Sequence, residues 1–568
     1  MTSAGREQSI SWSGREDDCA DGAGGSYRAS RAGNLTFIDE ALKARLAQLE
    51  FDGSSCKIAV RVVGWTAWTD GAIVLRSRTR EFRTELARVG SYWRACVPLR
   101  YDNGRFAAVG IPVGGYDVEF ECVDATGTVR RIPLLTDPSY VAGVPHTHQD
   151  GLSEYRGLVS KSGCVHLSVR AALSPDERGA FHQRRLQEST AATVVKEADL
   201  DGLLLRSYFA ETVTCNGLAI TEELLRRGST LPIYWAVRDE SVWSPPGVER
   251  VLHNSARWYE LLRSAKYYID NMYQPAYHDA PPGQVVVETF HGYPFKAMGH
   301  GYWTTAGFSA EQIESYDKRA EQWSYLVSPA PYATPYLTKE FAYDGEVLEI
   351  GYPRNDVLRS ERADTLRAEV RSSLGIAEGE RVVLFAPTFR DWTSVDGHTA
   401  PFVDTLDVRH VAELLGDGAR LLVRGHAFNA RSGQSRRFGA NVIDVTAYPE
   451  VSDLYLAADV AVVDYSSLRF DFGVTGKPMI FLVPDLEQYK QGRGWLFDFE
   501  PTAPGPFVST GDEVAELVRT IDTWVPTYAR AYASFTDGYL SLEDGHAARR
   551  FVDAVFVPRG DAPALEKA

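Results

Sequence analysis

Two rhythms of hydrophobic residues divide the chain. Between about 55 and 172 the apolar stretches are short and punctuated by turn residues: KIAVRVVGWTAW, AIVLRSRT, YWRACVPLRY, FAAVGIPV, YDVEFECVDATGTVRRIPL and VHLSVRAAL. Part of Tyr116–Cys122 alternates apolar with polar, and Asp124-Ala-Thr-Gly127 has hairpin-turn chemistry, as expected of half-buried antiparallel strands. This pattern predicts an all-β, sandwich-like domain over 34–173. In the charged stretch that follows, Ser174 stands as a helix N-cap and Pro175 in the first turn, which predicts a linker helix within 174–202. From about 203 the rhythm becomes uninterrupted apolar runs alternating with helical segments: LPIYWAV, AKYYIDN, VVVETF, SYLVSP and VLEIGYP, then RVVLFAP, ARLLVRG, DVAVVDY and PMIFLV. Strands read this way when helices cover both faces of a parallel sheet. There are too many runs for one such domain, and the division falls near Asp356–Ser372. The expected fold class is therefore α/β of the GT-B kind: two facing, Rossmann-like, doubly wound domains after an all-β domain. The first would span 203–356 and serve the acceptor; the second, 357–555, would bind the donor, with a C-terminal helix able to pack back on the first. Residues 1–33, rich in Ser, Gly and charge, predict a disordered tail, and 556–568 a second tail.

Composition changes this picture little. With 568 residues, 44% hydrophobic and 24% charged, the chain has the make-up of an ordinary soluble protein, and its length predicts about three domains. A net charge of −16 argues against a general nucleic-acid binder, which needs a basic footprint, but leaves room for a local basic cleft. The cysteines, Cys19, Cys56, Cys96, Cys122, Cys164 and Cys215, form no C-x-x-C pair and predict reduced thiols rather than a disulfide framework or zinc site. The opening MTSAGREQSISWSGREDD lacks the basic and apolar regions of a signal peptide, and no apolar run approaches the roughly 20 residues that span a bilayer. The expectation is a cytoplasmic protein that meets any membrane-borne substrate, peripherally, at the inner face of the plasma membrane.

In open parallel sheets, ligands bind beyond the carboxyl ends of the strands. The segments in that position are Phe290–Lys296 (FHGYPFK), Gly351–Asp356 (GYPRND), Pro387–Asp391 (PTFRD), Arg424–His426 (RGH) and Asp464–Ser467 (DYSS). They carry Gly292, Lys296, Arg354, Asn355, Thr388, Arg390, Arg424, Asp464, Ser466 and Ser467. Cations, amides and hydroxyls are the groups that hold phosphate oxygens and neutralise a departing phosphate, so five strand ends of this chemistry predict a substrate groove. His291 follows a strand and precedes Gly292, and histidine suits a general base acting on an acceptor hydroxyl; taken alone, a structural histidine is the plainer reading. The same two readings apply to His426, where Arg424 favours a phosphate contact. Ser466 and Ser467 open a helix-like stretch, Leu468–Val474, where backbone N–H groups can meet a pyrophosphate; simple capping of that helix is the alternative.

Other patterns carry less. Asp471-Phe-Gly473 lies in a helix and lacks the glycine-rich and His-Arg-Asp loops of a kinase. Asp199-Leu-Asp201 precedes its strand and reads as a solvated helix end, while His146-Thr-His148 has no third ligand and reads as a loop pair. There is no Walker A sequence. No pattern calls for a metal, although Mg²⁺ is compatible with screening a pyrophosphate.

At these strand ends the chain resembles the CDP-glycerol glycerophosphotransferase family, the polymerases and primases of teichoic acids and related capsules. The resemblance runs from about 203 to 555, roughly three-fifths of the chain. The family's Trp-His-Gly-Thr-Pro-Leu-Lys block stands here as Phe290 to Lys296, its Gly-x-Pro-Arg-Asn-Asp block as Gly351 to Asp356, and its Pro-Thr-aromatic-Arg as Pro387 to Arg390. Asp464–Ser467, Phe470–Phe472, Lys477-Pro478, Asp485–Tyr489, Arg493-Gly494, Pro504–Pro506, Asp537-Gly538 and Arg549 follow in the family's order. The resemblance implies that His291 is the catalytic base and that His426 binds the donor pyrophosphate or protonates leaving CMP. It places Arg354, Arg390, Ser466 and Ser467 around the phosphates, with Asp464 or Asp471 nearer the ribose or its loop. Phe290 and Tyr293 depart from the family's Trp and Thr, and Arg424-Gly-His426-Ala427 departs from its Lys-x-His-Pro, changes that bear on acceptor shape and donor polyol. The implied partners are a CDP-polyol donor and a polyol-phosphate or glycan acceptor, lipid-linked in some members, with no nucleic acid. Two rival readings are a GT-B glycosyltransferase using a nucleotide sugar and an inactive carbohydrate-binding scaffold.

Overall fold

The structure, a computed structural model, describes residues 42–63, 68–124, 127–136, 146–192, 197–388, 390, 403–425 and 439–557, and the backbone of three short strands near the N-terminus. Those strands, Ile10–Ser11, Ser26–Ala29 and Asn34–Ile38, pair antiparallel, so parts of the segment whose polarity predicts a disordered tail have regular backbone pairing. The chain divides into two compact units, one of 1–101, 108–172 and 239–241, the other of 102–107, 173–238 and 242–568.

The first unit is built of a five-stranded and a seven-stranded sheet, antiparallel except where Leu135–Thr136 joins Lys43–Asp52. Alternation makes these strands: in Lys43–Asp52, Ala44, Leu46 and Leu49 are buried, and a one-residue register shift between Leu46 and Gln48 keeps the apolar set inward. Inward residues of both sheets, among them Val60, Ile73, Phe120 and Tyr155, form one hydrophobic cluster. His146 and His148 lie on the strand His146–Asp150 rather than in a loop, and His148 stacks on Phe51 with ring centroids 5.5 Å apart.

A 3₁₀ turn, Pro175–Glu177, and a helix, Gly179–Ala192, open the main part of the second unit. This unit contains two wholly parallel sheets. The first runs in the order Glu249–Leu252, Ile233–Val237, Leu200–Arg206, Ala265–Asp270, Val285–Glu288, Tyr325–Ser328, Glu346–Glu349. The second runs Val442–Asp444, Ala419–Val423, Arg381–Phe385, Val460–Val463, Met479–Leu482, Phe507–Val508. Every residue of Ile233–Val237, Val460–Val463 and Met479–Leu482 is buried, as expected of central strands covered on both faces. Asp201 belongs to the start of the first strand and lies 3.6 Å from Lys266; it is not a helix end. The helices Asp356–Arg359 and Ala363–Ser373 join the two sheets, and the helix Ala547–Phe556 returns to the helix Cys215–Arg226. The N–H groups of Ala547 and Ala548 donate to the Asp356 carboxylate at 2.9 and 2.8 Å. In each sheet the chain order reverses once, between Leu200–Arg206 and Ala265–Asp270 and between Arg381–Phe385 and Val460–Val463. Ligand crevices of parallel sheets form beside such reversals.

Candidate active site

His291 leaves the carboxyl end of Val285–Glu288 on a segment whose backbone is held at successive points. Glu288, 1% exposed, accepts from the Phe290 and Tyr273 N–H groups, both at 2.8 Å. Phe290 takes a left-handed φ of +48°, and its carbonyl accepts from Asn216 Nδ2 at 3.0 Å. His291 Nδ1 lies 2.9 Å from the Asn271 carbonyl. A carbonyl only accepts, so Nδ1 carries the hydrogen and Nε2 holds the lone pair of the neutral ring. The imidazole is solvent-accessible, yet protein crowds its flanks. That desolvation lowers its pKa; the Asn271 carbonyl opposes the shift and nearby Arg354 adds to it. The ring is thus held as a neutral base.

At Gly292 the segments of the two sheets come close together. A Cβ on Gly292 would stand 3.2 Å from the Ser467 hydroxyl, so close approach, not an unusual φ, accounts for the glycine. The Gly292 carbonyl accepts from the Tyr352 hydroxyl at 3.0 Å, and the Tyr293 hydroxyl donates to buried Glu543. Tyr293 also stacks on Phe470, with centroids 4.9 Å apart. Nearby, Arg354 Nε and Nη2 both donate to Asp471 Oδ1, at 2.9 and 2.7 Å, and the Arg354 N–H donates to Asn216 Oδ1 at 3.1 Å. Asn216 therefore ties the His291 segment to the Arg354 segment. Asn355 Nδ2 reaches the Tyr293 hydroxyl at 3.4 Å.

On the second sheet, Asp464 accepts from the Thr388 N–H at 3.0 Å and from its hydroxyl at 2.8 Å. Asp464 also pairs with Arg390 Nη1 at 2.8 Å, and Arg390 Nε pairs with Asp485 at 2.8 Å. The side chains of Arg390 and Asp464 are 2% and 1% exposed. Two carboxylates thus hold Arg390 in a loop brace. Arg424 differs: Nη1 donates to the Val445 and Tyr448 carbonyls at 3.1 and 2.8 Å, while Nε and Nη2 find no partner among the described residues. Burial lowers its pKa, against the opposing pull of Tyr455, Glu450 and Tyr208. Ser466 Oγ accepts from the Leu468 N–H at 3.1 Å. Ser467 stands at the N-cap of Leu468–Gly473 without a side-chain capping bond, which leaves its hydroxyl beside Gly292. Lys296 Nζ lies over the Tyr489 ring, 5.3 Å from its centre.

His426 falls outside the described residues. Among those described, no three His, Cys, Asp or Glu gather to hold a metal ion. Residues absent from the sequence reading complete the site: Asn216, Asn271, Glu543 and Tyr208, whose ring meets His291 edge to face with centroids 5.5 Å apart. None belongs to the five strand-end segments, but Asn271 stands directly after Ala265–Asp270 and Tyr208 two residues after Leu200–Arg206, locations that offered a signal.

A histidine held as a neutral base on one parallel sheet, with the Ser467 hydroxyl of the other beside Gly292, makes a candidate site of the two-sheet α/β class. Comparison with known proteins narrows the class. The family model of CDP-Glycerol:Poly(glycerophosphate) glycerophosphotransferase matches residues 189–557, and the chain belongs to that family. It is 30% identical over 362 residues to the teichoic acid poly(glycerol phosphate) polymerase of Bacillus subtilis (strain 168), covering 62% of this chain and 48% of that protein. The chain thus spans about half the length of that relative. It is 32% identical over 363 residues to the teichoic acid glycerol-phosphate transferase of Staphylococcus aureus (strain NCTC 8325 / PS 47), covering 62% of this chain and 92% of that protein. Among solved structures, the wall teichoic acid polymerase TagF superposes with a TM-score of 0.61 at 26% identity, covering 66% of this chain and 92% of that one.

Proposed function

We propose that this protein transfers glycerol phosphate, or a similar polyol phosphate, from a CDP-activated donor to a hydroxyl of a cell-envelope polymer or its lipid-linked primer, releasing CMP. In this reading the parallel sheets are the facing Rossmann-like domains of a GT-B enzyme, the first serving the acceptor and the second the donor. The observation that carries it is the neutral, accessible His291, whose Nε2 has no partner among the described residues, beside the approach of Gly292 to Ser467. His291 Nε2 takes the acceptor proton as the acceptor oxygen bonds to the donor's β-phosphorus. The bond from that phosphorus to the CMP oxygen breaks in line, and CMP leaves with the electron pair. Arg424, Lys296, Ser466 and Ser467 stabilise the phosphate charge, Thr388 braces Asp464 through its N–H and hydroxyl, and His426 attends the pyrophosphate or the leaving group. Arg354, Asn355, Arg390, Asp464 and Asp471 act by fixing these groups, since alignment and charge stabilisation supply most phosphoryl-transfer catalysis. Mg²⁺ on the pyrophosphate is compatible with the scheme. No helix among the described residues is long and apolar enough to cross a membrane, and a lipid-linked acceptor would be met at the membrane's inner face.

The test is CMP release by the purified chain with CDP-glycerol, CDP-ribitol and UDP-sugars, each with a polyol-phosphate acceptor. His291→Ala is expected to lower turnover by roughly 10²–10⁴-fold with circular dichroism unchanged. Near-normal CMP release by that variant removes His291 from the chemistry, and a glycosidic product overturns the reaction class.

A further inference from the structure

The first sheet's chain order reverses between Leu200–Arg206 and Ala265–Asp270, and beside that reversal the backbone takes an unfavourable path. Tyr208, Phe209 and Ala210, none of them glycine, follow one another with φ of +45°, +57° and +70°. Left-handed backbone crowds Cβ against the following carbonyl; one such residue is uncommon, and three in succession need over-determined surroundings. Strain of this kind collects at functional sites. The surroundings are visible: the Ala210 N–H donates to the Ser207 carbonyl at 2.9 Å and the Arg238 N–H to the Ala210 carbonyl at 3.0 Å. The Ser207 hydroxyl donates to the Thr214 carbonyl at 3.1 Å.

Asn271 shows what the turn achieves. Its side-chain oxygen accepts the Tyr208 N–H at 2.9 Å, and its main-chain oxygen accepts His291 Nδ1–H at 2.9 Å. One buried residue therefore places both rings, which meet at 60° with centroids 5.5 Å apart. Cys215, which interacts electrostatically with Tyr208, takes Arg354 Nη1 on its sulfur at 3.7 Å. Tyr208 is only half-buried; a tyrosine needed merely for packing would not require a strained backbone to sit there.

We propose that Tyr208 is a positioning residue of the active site, its ring edge bracing the His291 imidazole so that Nε2 is presented to the acceptor hydroxyl. The proposal rests on His291 acting as the base. The ring excludes water from one flank of the imidazole; among the described residues the charged group that acts on His291 is Arg354, from the segment after Glu346–Glu349, and Tyr208 meets its ring edge to face.

Two readouts test it, on the full chain. CMP release from CDP-glycerol is followed between about pH 5 and pH 9 across the histidine range, and the His291 ring is titrated by NMR in histidine-labelled protein, with His291→Gln giving the assignment. Tyr208→Phe keeps the ring edge and should hold kcat within about threefold, with an unchanged His291 titration. Tyr208→Ala should lower kcat roughly 10–100-fold, the scale of a small misalignment, and leave KM for CDP-glycerol within about twofold. Its acid limb and NMR titration should both move up toward the ordinary histidine value of about 6.5. Tyr208→Leu, which fills the space without an aromatic edge, should behave as Tyr208→Ala does and serves if that variant does not fold. An unmoved His291 titration overturns the proposal whether or not kcat falls, and a raised KM with kcat intact makes Tyr208 a substrate contact instead. The NMR titration needs no turnover: a shifted titration in a protein that never releases CMP supports the brace and refutes the transferase reading alone.

Discussion

Arg354 and Asp471 follow strands of different sheets, and their side chains are 7% and 8% exposed. Two guanidinium nitrogens converge on a single oxygen at 2.9 and 2.7 Å, and the Tyr352 ring lies 4.4 Å from the guanidinium carbon. Removing one partner of such a pair strands a desolvated charge, which costs about 3–5 kcal/mol. Asp471→Leu should fall at the upper end, because an arginine cannot shed its proton. Arg354→Met should cost less, because burial already pushes the Asp471 pKa up and the orphaned carboxyl can protonate. Arg354→Met with Asp471→Leu removes the attraction and both desolvation penalties together, and should lie within about 1 kcal/mol of the parent. Urea unfolding of the four proteins, followed by far-UV circular dichroism at pH 7.5, gives the cycle. A double-variant loss equal to the sum of the single losses within about 0.5 kcal/mol would show that the residues are uncoupled and that they do not clamp the sheets together.

Burial lowers the His278 pKa to about 4, so the unfolded chain takes up its proton first. The stability this gives is complete above about pH 6.5 and is lost as pH falls toward 4, by about 3 kcal/mol; urea midpoints against pH should show a flatter loss in His278→Gln. Burial raises the Glu543 pKa to about 7, the opposite sign: the folded state retains a proton that the unfolded chain releases near pH 4.5, so stability drops as pH rises from there to 7. Glu543→Gln keeps an acceptor for the Tyr293 hydroxyl and should stabilise the protein at pH 8 by about 1–3 kcal/mol; a thermal midpoint that falls refutes the buried-acid assignment. Gly292→Ala places a methyl 3.2 Å from the Ser467 hydroxyl and should lower CMP release by roughly tenfold with little change in melting. Near-parent CMP release by Gly292→Ala would mean that the contact is not what limits turnover.

The central strands were legible because burial on both faces writes an unbroken apolar run, as in Val460–Val463 and Met479–Leu482. The edge strands Glu249–Leu252, Val442–Asp444 and Phe507–Val508 were not, since their exposed positions and short lengths leave no such run. Strand-end chemistry was also legible: Phe290, Gly351, Pro387, Arg424 and Asp464 all stand within two residues of a parallel strand's carboxyl end. Pairing was not. Whether an arginine meets phosphate or carboxylate depends on residues far off in the chain, and Arg390 with Asp485, 95 positions away, has no local signature. Tyr208 shares the strand-end position, two residues after Leu200–Arg206, but its left-handed conformation contradicts the preference of a non-glycine residue, and that part no local pattern could announce.

Side-chain type therefore does not separate the groups that meet substrate from the groups that hold the site; partner count does. Arg354 and Arg390 are each bonded to buried carboxylates, and their charge is largely spent before a phosphate arrives. Arg424 donates one nitrogen to two neutral carbonyls and keeps its charge uncancelled by any ion pair among the described residues. Ser467 likewise forgoes its capping bond. A groove that bound two phosphates with every cation exposed would repel itself when empty, whereas one that pairs Arg354 and Arg390 internally keeps the empty site stable; among the described residues Arg424 has no carboxylate partner. On that logic Arg424→Met should raise KM for CDP-glycerol roughly tenfold while leaving the urea midpoint nearly unchanged, because it breaks no charge pair. Arg390→Met should do the reverse, unfolding the loop brace first and losing activity as a consequence. Equal effects of the two substitutions on stability would refute the division.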